Sequence, residues 1–332
     1  MRLVLSTTAL NGGDEVYDLI DRLIDRVADE VHRVEVPDAD LLQESGWYQS
    51  ARQTRRKVLT AAVAVPPRKH NTTQGPHAKQ IEIRNLEEAH VAVKLAYAPF
   101  SILVEDREAD GVFLNILVEE LGSPELRILW KRAQEVTPRA IGIDTAGGIG
   151  SIPHRINRAV ADAHTEGRPV RFFVFCDSDK RWPGDNLPLR QEELLRETCT
   201  NLSIPLHILR KRNIENYIPD AVFEATRDDP RNTGNVDRFE ALLRRSPVQR
   251  DHIPIKDKLK DVERDEGLAV GHYQEADKPD LLLLKERLFP KRPRLFVRLN
   301  EERRTEFTGP GLRERDGNNE IDTLLDTISR EL

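Results

Sequence analysis

Cysteine is nearly absent from this chain, with two in 332 residues. Two thiols make no disulfide framework, and they are too few for a four-cysteine structural zinc site. Cys176 lies inside an apolar run and Cys199 in a stretch of helical pattern. Both therefore read as reduced packing residues of a cytoplasmic protein. Long apolar runs are missing too. Nothing approaches the roughly 18 residues that mark a membrane-spanning helix, and the strand-like Met1–Ser6 reads as too short for a secretory leader. Aromatic residues make up 5% and charged residues 33%, which implies a salt-rich, water-facing surface. No Gly-x-x-x-x-Gly-Lys-Ser/Thr occurs, so the chain carries no P-loop for ATP. Internal repeats and low-complexity tracts are also lacking, and the length supports about two domains.

What is present centres on the run from Val170 to Asp179, Val-Arg-Phe-Phe-Val-Phe-Cys-Asp-Ser-Asp. An apolar run bounded by polar residues reads as a buried strand of parallel type. In an extended segment side chains at i and i+2 share a face, so Asp177 and Asp179 are expected to converge at the sheet edge. Two like charges that close repel unless a cation sits between them, and a metal site is favoured over a loop-capping pair. Phe100–Val104 is a second apolar run and ends in Glu105-Asp106, followed at once by a helical pattern of Val112, Phe113, Ile116, Leu117 and Leu121. Glu105 alone reads as a charge at a helix N-terminus. Beside the aspartates it becomes a third carboxylate, because ligands of open α/β sheets bind outside the C-terminal strand ends. A third strand at Ala140–Ile143 runs into Gly147 and Gly148 before another amphipathic helix. Glycines there let backbone approach phosphate, but without a Walker or Rossmann spacing a tight packing turn is the stronger reading. A fourth strand is expected at Pro205–Leu209, before Arg210-Lys211-Arg212-Asn213-Ile214-Glu215-Asn216-Tyr217.

The succession Val104-Glu105, Gly147-Gly148, Asp177-Ser178-Asp179 and Ile214-Glu215-Asn216-Tyr217 resembles a TOPRIM domain. The variety it looks most like is that of OLD-family (overcoming lysogenisation defect) nucleases and related standalone bacterial defence nucleases. The resemblance spans roughly residues 96 to 220. It implies a small parallel sheet flanked by helices, with a carboxylate cluster holding one or two Mg²⁺ or Mn²⁺ ions. It also implies that Glu105, Asp177, Asp179 and Glu215 are the acids of that cluster. The family turn is usually Glu-Gly with an acid four positions after the glutamate; here Asp106 replaces the glycine and the acid falls at Asp110. Either Asp106 or Asp110 is then the further ligand. Two-ion phosphodiester hydrolysis holds its cations about 4 Å apart, and a nearby cationic side chain adds charge stabilisation. Lys180, Arg210, Lys211 and Arg212 are the candidates, with Lys211 favoured as catalytic and the others as contacts to nucleic acid. Tyr217 reads as a packing tyrosine rather than a nucleophile.

The flanks are less specific. Residues 1–95 begin with a strand at Arg2–Ser6 and a helix at Asp14–Val31, then a basic helix at Arg52–Val65. A turn-rich linker follows at 66–77, whose His70 and His77 are not read as ligands. Residues 221–332 read as a helical appendage, with helices at Asp220–Ala225, Val236–Arg245, Asp257–Asp265, Leu281–Leu288 and Glu320–Ser329, and Arg294–Leu299 as strand or helix end. Net charge is −6, yet basic residues cluster at 52–57, 68–69, 210–212, 285–294 and 303–304, so the overall sign does not argue against a nucleic-acid partner. The expectation is an α/β, cytoplasmic, metal-dependent nuclease of antiviral defence. Full-length OLD enzymes carry an ATPase in the same chain and this sequence lacks its P-loop, so the resemblance implies a separate ATPase or sensor as partner, and a homodimer is the assembly considered. A GT-A glycosyltransferase also uses Asp-x-Asp, but it calls for neither Val-Glu nor Glu-Asn-Tyr. A haloacid-dehalogenase phosphatase is disfavoured by Lys180-Arg181 after the pair. A non-catalytic TOPRIM adaptor would tolerate loss of the acids that are here intact.

Overall fold

The computed structural model describes residues 1–64, 80–167, 169–185, 190–274, 276, 278–289 and 294–332. The 66–77 linker with His70, His77, Arg68 and Lys69, and the centre of the 285–294 basic run, lie outside the described residues. Two small all-parallel sheets with flanking helices make the chain α/β. The first joins β1 (Arg2–Leu5), β2 (Arg33–Glu35) and β3 (Gln80–Ile83) in the order β2-β1-β3. It has its own apolar core, built with the helices Asp14–Ala28 and Leu86–Tyr97 around Leu3, Leu5, Ile20, Leu23, Trp47 and Ile83.

The second sheet joins β4 (Phe100–Val104), β5 (Ile141–Thr145), β6 (Arg171–Cys176) and β7 (Leu206–Ile208) in the order β5-β4-β6-β7. Its central strands β4 and β6 are buried almost throughout because both their faces are covered, while the edge strands β5 and β7 are only partly buried. Phe100, Ile102, Val104, Phe173 and Phe175 face one core, while Leu103, Val174 and Cys176 face another. That alternation is the period of two a strand dictates. Helices Ile152–Thr165 and Arg190–Asn201 supply Ile152, Ile156, Leu195 and Cys199 to the smaller core. On the opposite face, helix Arg107–Leu121 is joined by helices from beyond residue 220 in one continuous core. Phe113 meets Phe296 edge-on at 5.3 Å, and Phe289 meets Phe239 likewise at 5.3 Å.

Two downstream segments settle or correct an expectation. Arg294–Leu299 is not a strand: of the two alternatives it is the helix end, opening the helix Leu295–Arg303. The helix expected from Asp257 begins only at Asp261, so residues 255–260 run as an irregular segment. Ile253, Ile255 and Leu259 bury their side chains there, and this fixes the backbone without helical bonds. Among the described residues no helix is long and apolar enough to cross a membrane.

Candidate metal centre

Because all four strands of the second sheet are parallel, their C-terminal ends share one edge. Register places Val104 opposite Thr145 and Cys176 opposite Ile208. Glu105 leaves β4 at that edge, with its carbonyl accepting from Thr145 Oγ1 at 2.7 Å. Its carboxylate reaches across to accept from the Asp177 backbone N–H at 3.2 Å. Asp177 and Asp179 do converge, though not by strand alternation. β6 ends at Cys176, and the turn takes Asp179 into the left-handed region at φ 51°, which Asp tolerates better than most residues. The Asn213 side-chain amide then donates to both, at 3.1 Å to Asp177 and 3.2 Å to Asp179. Asp177 also accepts from the Ile214 N–H at 3.1 Å.

The next two acids separate by role. Asp106 caps the helix Arg107–Leu121, accepting from the Glu108 N–H at 2.9 Å. Asp110 lies one turn in, buried, and accepts from the Asp106 N–H at 2.9 Å. It is thus Asp110 that lies buried in the field of Asp177, Glu105 and Glu215. Glu215 sits on a short 3₁₀ turn, Ile214–Tyr217, that Asn213 and Asn216 cap reciprocally. Asn216 also donates to the carbonyls of Arg250 at 2.7 Å and Ile253 at 2.8 Å. The Glu-Asn-Tyr segment therefore aims a carboxylate at the cluster and pins a distant loop beside it.

That loop delivers Lys256, a residue the sequence reading did not single out. Its Nζ lies 3.1 Å from Asp177 Oδ2 and 3.8 Å from Glu215 Oε2. Burial works against its charge, but Glu215 and Asp177 outweigh burial and hold the ammonium above the usual lysine range. The acids respond in the other direction. Burial first, then Asp177, raises Asp110 to about 8, and burial with Asp177 and Asp179 raises Glu105 to about 7. Glu215 rises to about 7, again by burial, with Lys256 opposing and Asp177 reinforcing. Asp177 is raised by burial while Lys256 and Asn213 oppose it.

The donor set suits a hard divalent cation in kind, since every candidate ligand is a carboxylate oxygen. Glu215 Oε2 is buried with no hydrogen-bond partner, an arrangement that normally marks a group awaiting one. As the side chains now stand, no group of three His, Cys, Asp or Glu among the described residues is close enough to hold an ion. The reason is local: Asp177 is turned onto Asn213, Ile214 and Lys256. A cation bound at Asp177 would compete with the Lys256 ammonium, whose side chain is 48% exposed.

The basic residues fall elsewhere. Lys211, favoured from sequence as the catalytic cation, is buried, with its ammonium on Asp251 at 2.6 Å and on the Arg315 carbonyl. Burial and Arg315 lower it to about 8. Arg212 pairs with Glu263 at 3.0 Å. The backbone of this segment does serve the site: the Arg212 carbonyl accepts from the Ser178 and Asp179 N–H groups at 3.2 and 3.0 Å. Arg210 is exposed, and Lys180 is half-buried with its carbonyl on the His252 ring at 3.1 Å. Gly147 and Gly148 adopt φ 77° and 109° at the β5 turn. A Cβ would meet nothing there within 4 Å, so conformation rather than crowding calls for glycine. Against known proteins, no family model, no curated protein and no solved structure matches this chain.

Proposed function

We propose that this chain is a divalent-metal-dependent nuclease with a TOPRIM-like site of the OLD kind, hydrolysing phosphodiester bonds as an effector of antiviral defence beside a separate ATPase or sensor. The observation that carries the reading is the gathering of Glu105, Asp110, Asp177, Asp179 and Glu215 at one sheet edge, with a buried Glu215 oxygen among them that has no hydrogen-bond partner and only a distant ion pair to Lys256. These five would hold Mg²⁺ or Mn²⁺. The bound ion supplies Lewis acidity to the attacking and leaving oxygens of the phosphodiester. Asn213 fixes the Asp177 and Asp179 carboxylates relative to one another. Lys256, charged and half-exposed, offers an ammonium to a phosphate oxygen as negative charge builds there.

One observation favours a second reading. Lys256 already neutralises Asp177 and Glu215 from within, as an ion-pair hub of a non-catalytic adaptor would. Cleavage of plasmid DNA, linear DNA and tRNA in Mg²⁺ or Mn²⁺ against EDTA, with the Asp177→Asn protein alongside, separates the two. Cutting that needs metal and vanishes in the variant is expected. No cutting, with Mn²⁺ bound equally by both proteins, leaves the adaptor.

A further inference from the structure

A cleft of about 470 Å³ is lined by Asn235, Arg238, Lys258, Lys285, Arg287 and Phe289, with Glu286 as its one acidic wall residue. We infer that this cleft is a binding track for the phosphate backbone of a nucleic-acid strand, leading it to the candidate metal centre; the inference rests on the nuclease reading above.

The argument begins with the chain itself. Ile253, Ile255 and Leu259 point inward, so Lys256 and Lys258 are left exposed on the same short segment. Lys256 joins the two places: its ammonium lies 3.1 Å from Asp177 Oδ2, and its carbonyl lies 3.5 Å from the Nη1 of Arg287, a cleft residue. The remaining cations are tied to this segment through backbone. The Leu259 N–H donates to the Leu284 carbonyl at 3.0 Å, which docks the stretch carrying Lys285 and Arg287. Arg287 Nη1 reaches the Lys256 carbonyl at 3.5 Å, and Arg238 Nη1 donates to the Arg287 carbonyl at 3.1 Å.

Charge then selects the ligand. Arg287 is paired with Asp257 at 2.6 Å and Lys285 with Asp261 at 2.8 Å. Arg238 and Lys258 make no ion pair or hydrogen bond to an acid among the described residues, though Lys258 shares the field of Asp261 with Lys285. Unpaired like charges held in one concavity repel, and an anion placed between them offsets that cost. Four cationic side chains in one cleft exceed what a single phosphate needs and suit successive phosphates of a strand. Such contacts read backbone and not sequence, and they weaken steeply with salt.

The test is fluorescence anisotropy of a labelled 30-nucleotide DNA, and its RNA counterpart, in EDTA over a salt series. The parent is compared with the Arg238→Glu/Lys258→Glu protein, and with Arg52→Glu/Lys57→Glu, at the start of and within the helix Gln53–Ala64 beside the first sheet, as a matched reversal. We expect the parent to bind without metal, and the cleft reversal to weaken binding about tenfold or more and flatten the salt slope by about two. The N-terminal reversal should bind as the parent does. Unchanged unfolding midpoints and unchanged Mn²⁺ binding certify that the cleft variant is folded with its carboxylates intact. Binding that ignores the cleft reversal, or a parent that binds no strand, overturns the inference. The two readings fail separately. A parent that cuts, with a cleft variant that binds and cuts equally well, removes the track and keeps the nuclease. A cleft-dependent binder that cuts nothing keeps the track and removes the nuclease.

Discussion

Lys256 and the acids around it set the electrostatics of the site residue by residue. Replacing the lysine with methionine removes the only cation that the structure places on Asp177 and Glu215 among the described residues. If the ammonium meets a phosphate oxygen in the reaction, Lys256→Met should slow cutting about 10²-fold. Mn²⁺ affinity should not fall, since the variant no longer competes for the carboxylates; calorimetry and initial rates measured side by side check both halves. The acids make a separate prediction about pH. Glu105 and Glu215 are raised to about 7 and Asp110 to about 8. In this window the folded protein holds protons that the unfolded chain has released, so stability falls as pH rises. Lys256 stays protonated throughout and adds no slope. The urea midpoint in EDTA is therefore expected to drop more between about pH 5 and pH 8 in the parent than in a Glu105→Gln/Asp110→Asn protein. The comparison is needed because the Met1 amine and the His32 and His252 rings, all lowered by burial, act with the opposite sign in both proteins. Mn²⁺ affinity of the parent climbs over the same range because ligands must lose their protons. A midpoint that falls no more in the parent than in that variant would show that Glu105 and Asp110 are ionised in the folded state.

At the scale of elements, the site depends on strand ends and on one loop held against them. Asn216 ties its 3₁₀ turn to the Arg250 and Ile253 carbonyls. Asn216→Ala leaves both carbonyls without that donor, at a cost of about 1–3 kcal/mol, and frees the segment that carries Lys256. A lower denaturant midpoint together with a loss of cutting that exceeds the loss of folded protein is the expected pair of results. These elements also show what could be read in advance. β4 and β6 were legible because sheets covered on both faces need continuous apolar strands, and acids at their ends stand out against such runs. Lys256 was not legible, because it lies in an irregular segment far along the chain, one of 51 Lys and Arg residues. Its only sequence trace is the spacing of Ile253, Ile255 and Leu259 around two lysines, which a helix expected from Asp257 obscured. The basic run Arg210–Arg212 misled for a related reason. The partners of Lys211 and Arg212, Asp251 and Glu263, are distant in sequence, and no local pattern announces a long-range ion pair.

Across the whole molecule, the segments beyond residue 220 complete the sheet domain, burying Phe296, Leu312, Ile321, Leu324 and Ile328 in the same core as Phe113 and Phe175. A polar joint seals that packing at the edge of β7. Glu320 accepts from the His207 ring at 3.0 Å, from the Arg210 N–H at 2.9 Å and from the Tyr217 hydroxyl. The Tyr217 hydroxyl lies 3.4 Å from the Lys211 N–H on its other side. Burial and Glu320 push the phenol well above its ordinary range, the reverse of what a tyrosine nucleophile needs. Its work is thus to close the joint between the last helix, Glu320–Glu331, and the sheet that bears the acids. Tyr217→Phe should keep the cutting rate within a factor of two or so while costing about 1–2 kcal/mol of stability, the price of leaving a buried carboxylate one donor short. Glu320→Gln should cost at least as much, because the His207 and Arg210 contacts weaken along with it. Rates and urea midpoints of the two variants decide the matter: a Tyr217→Phe protein of parental stability that no longer cuts would move the tyrosine from the joint into the chemistry.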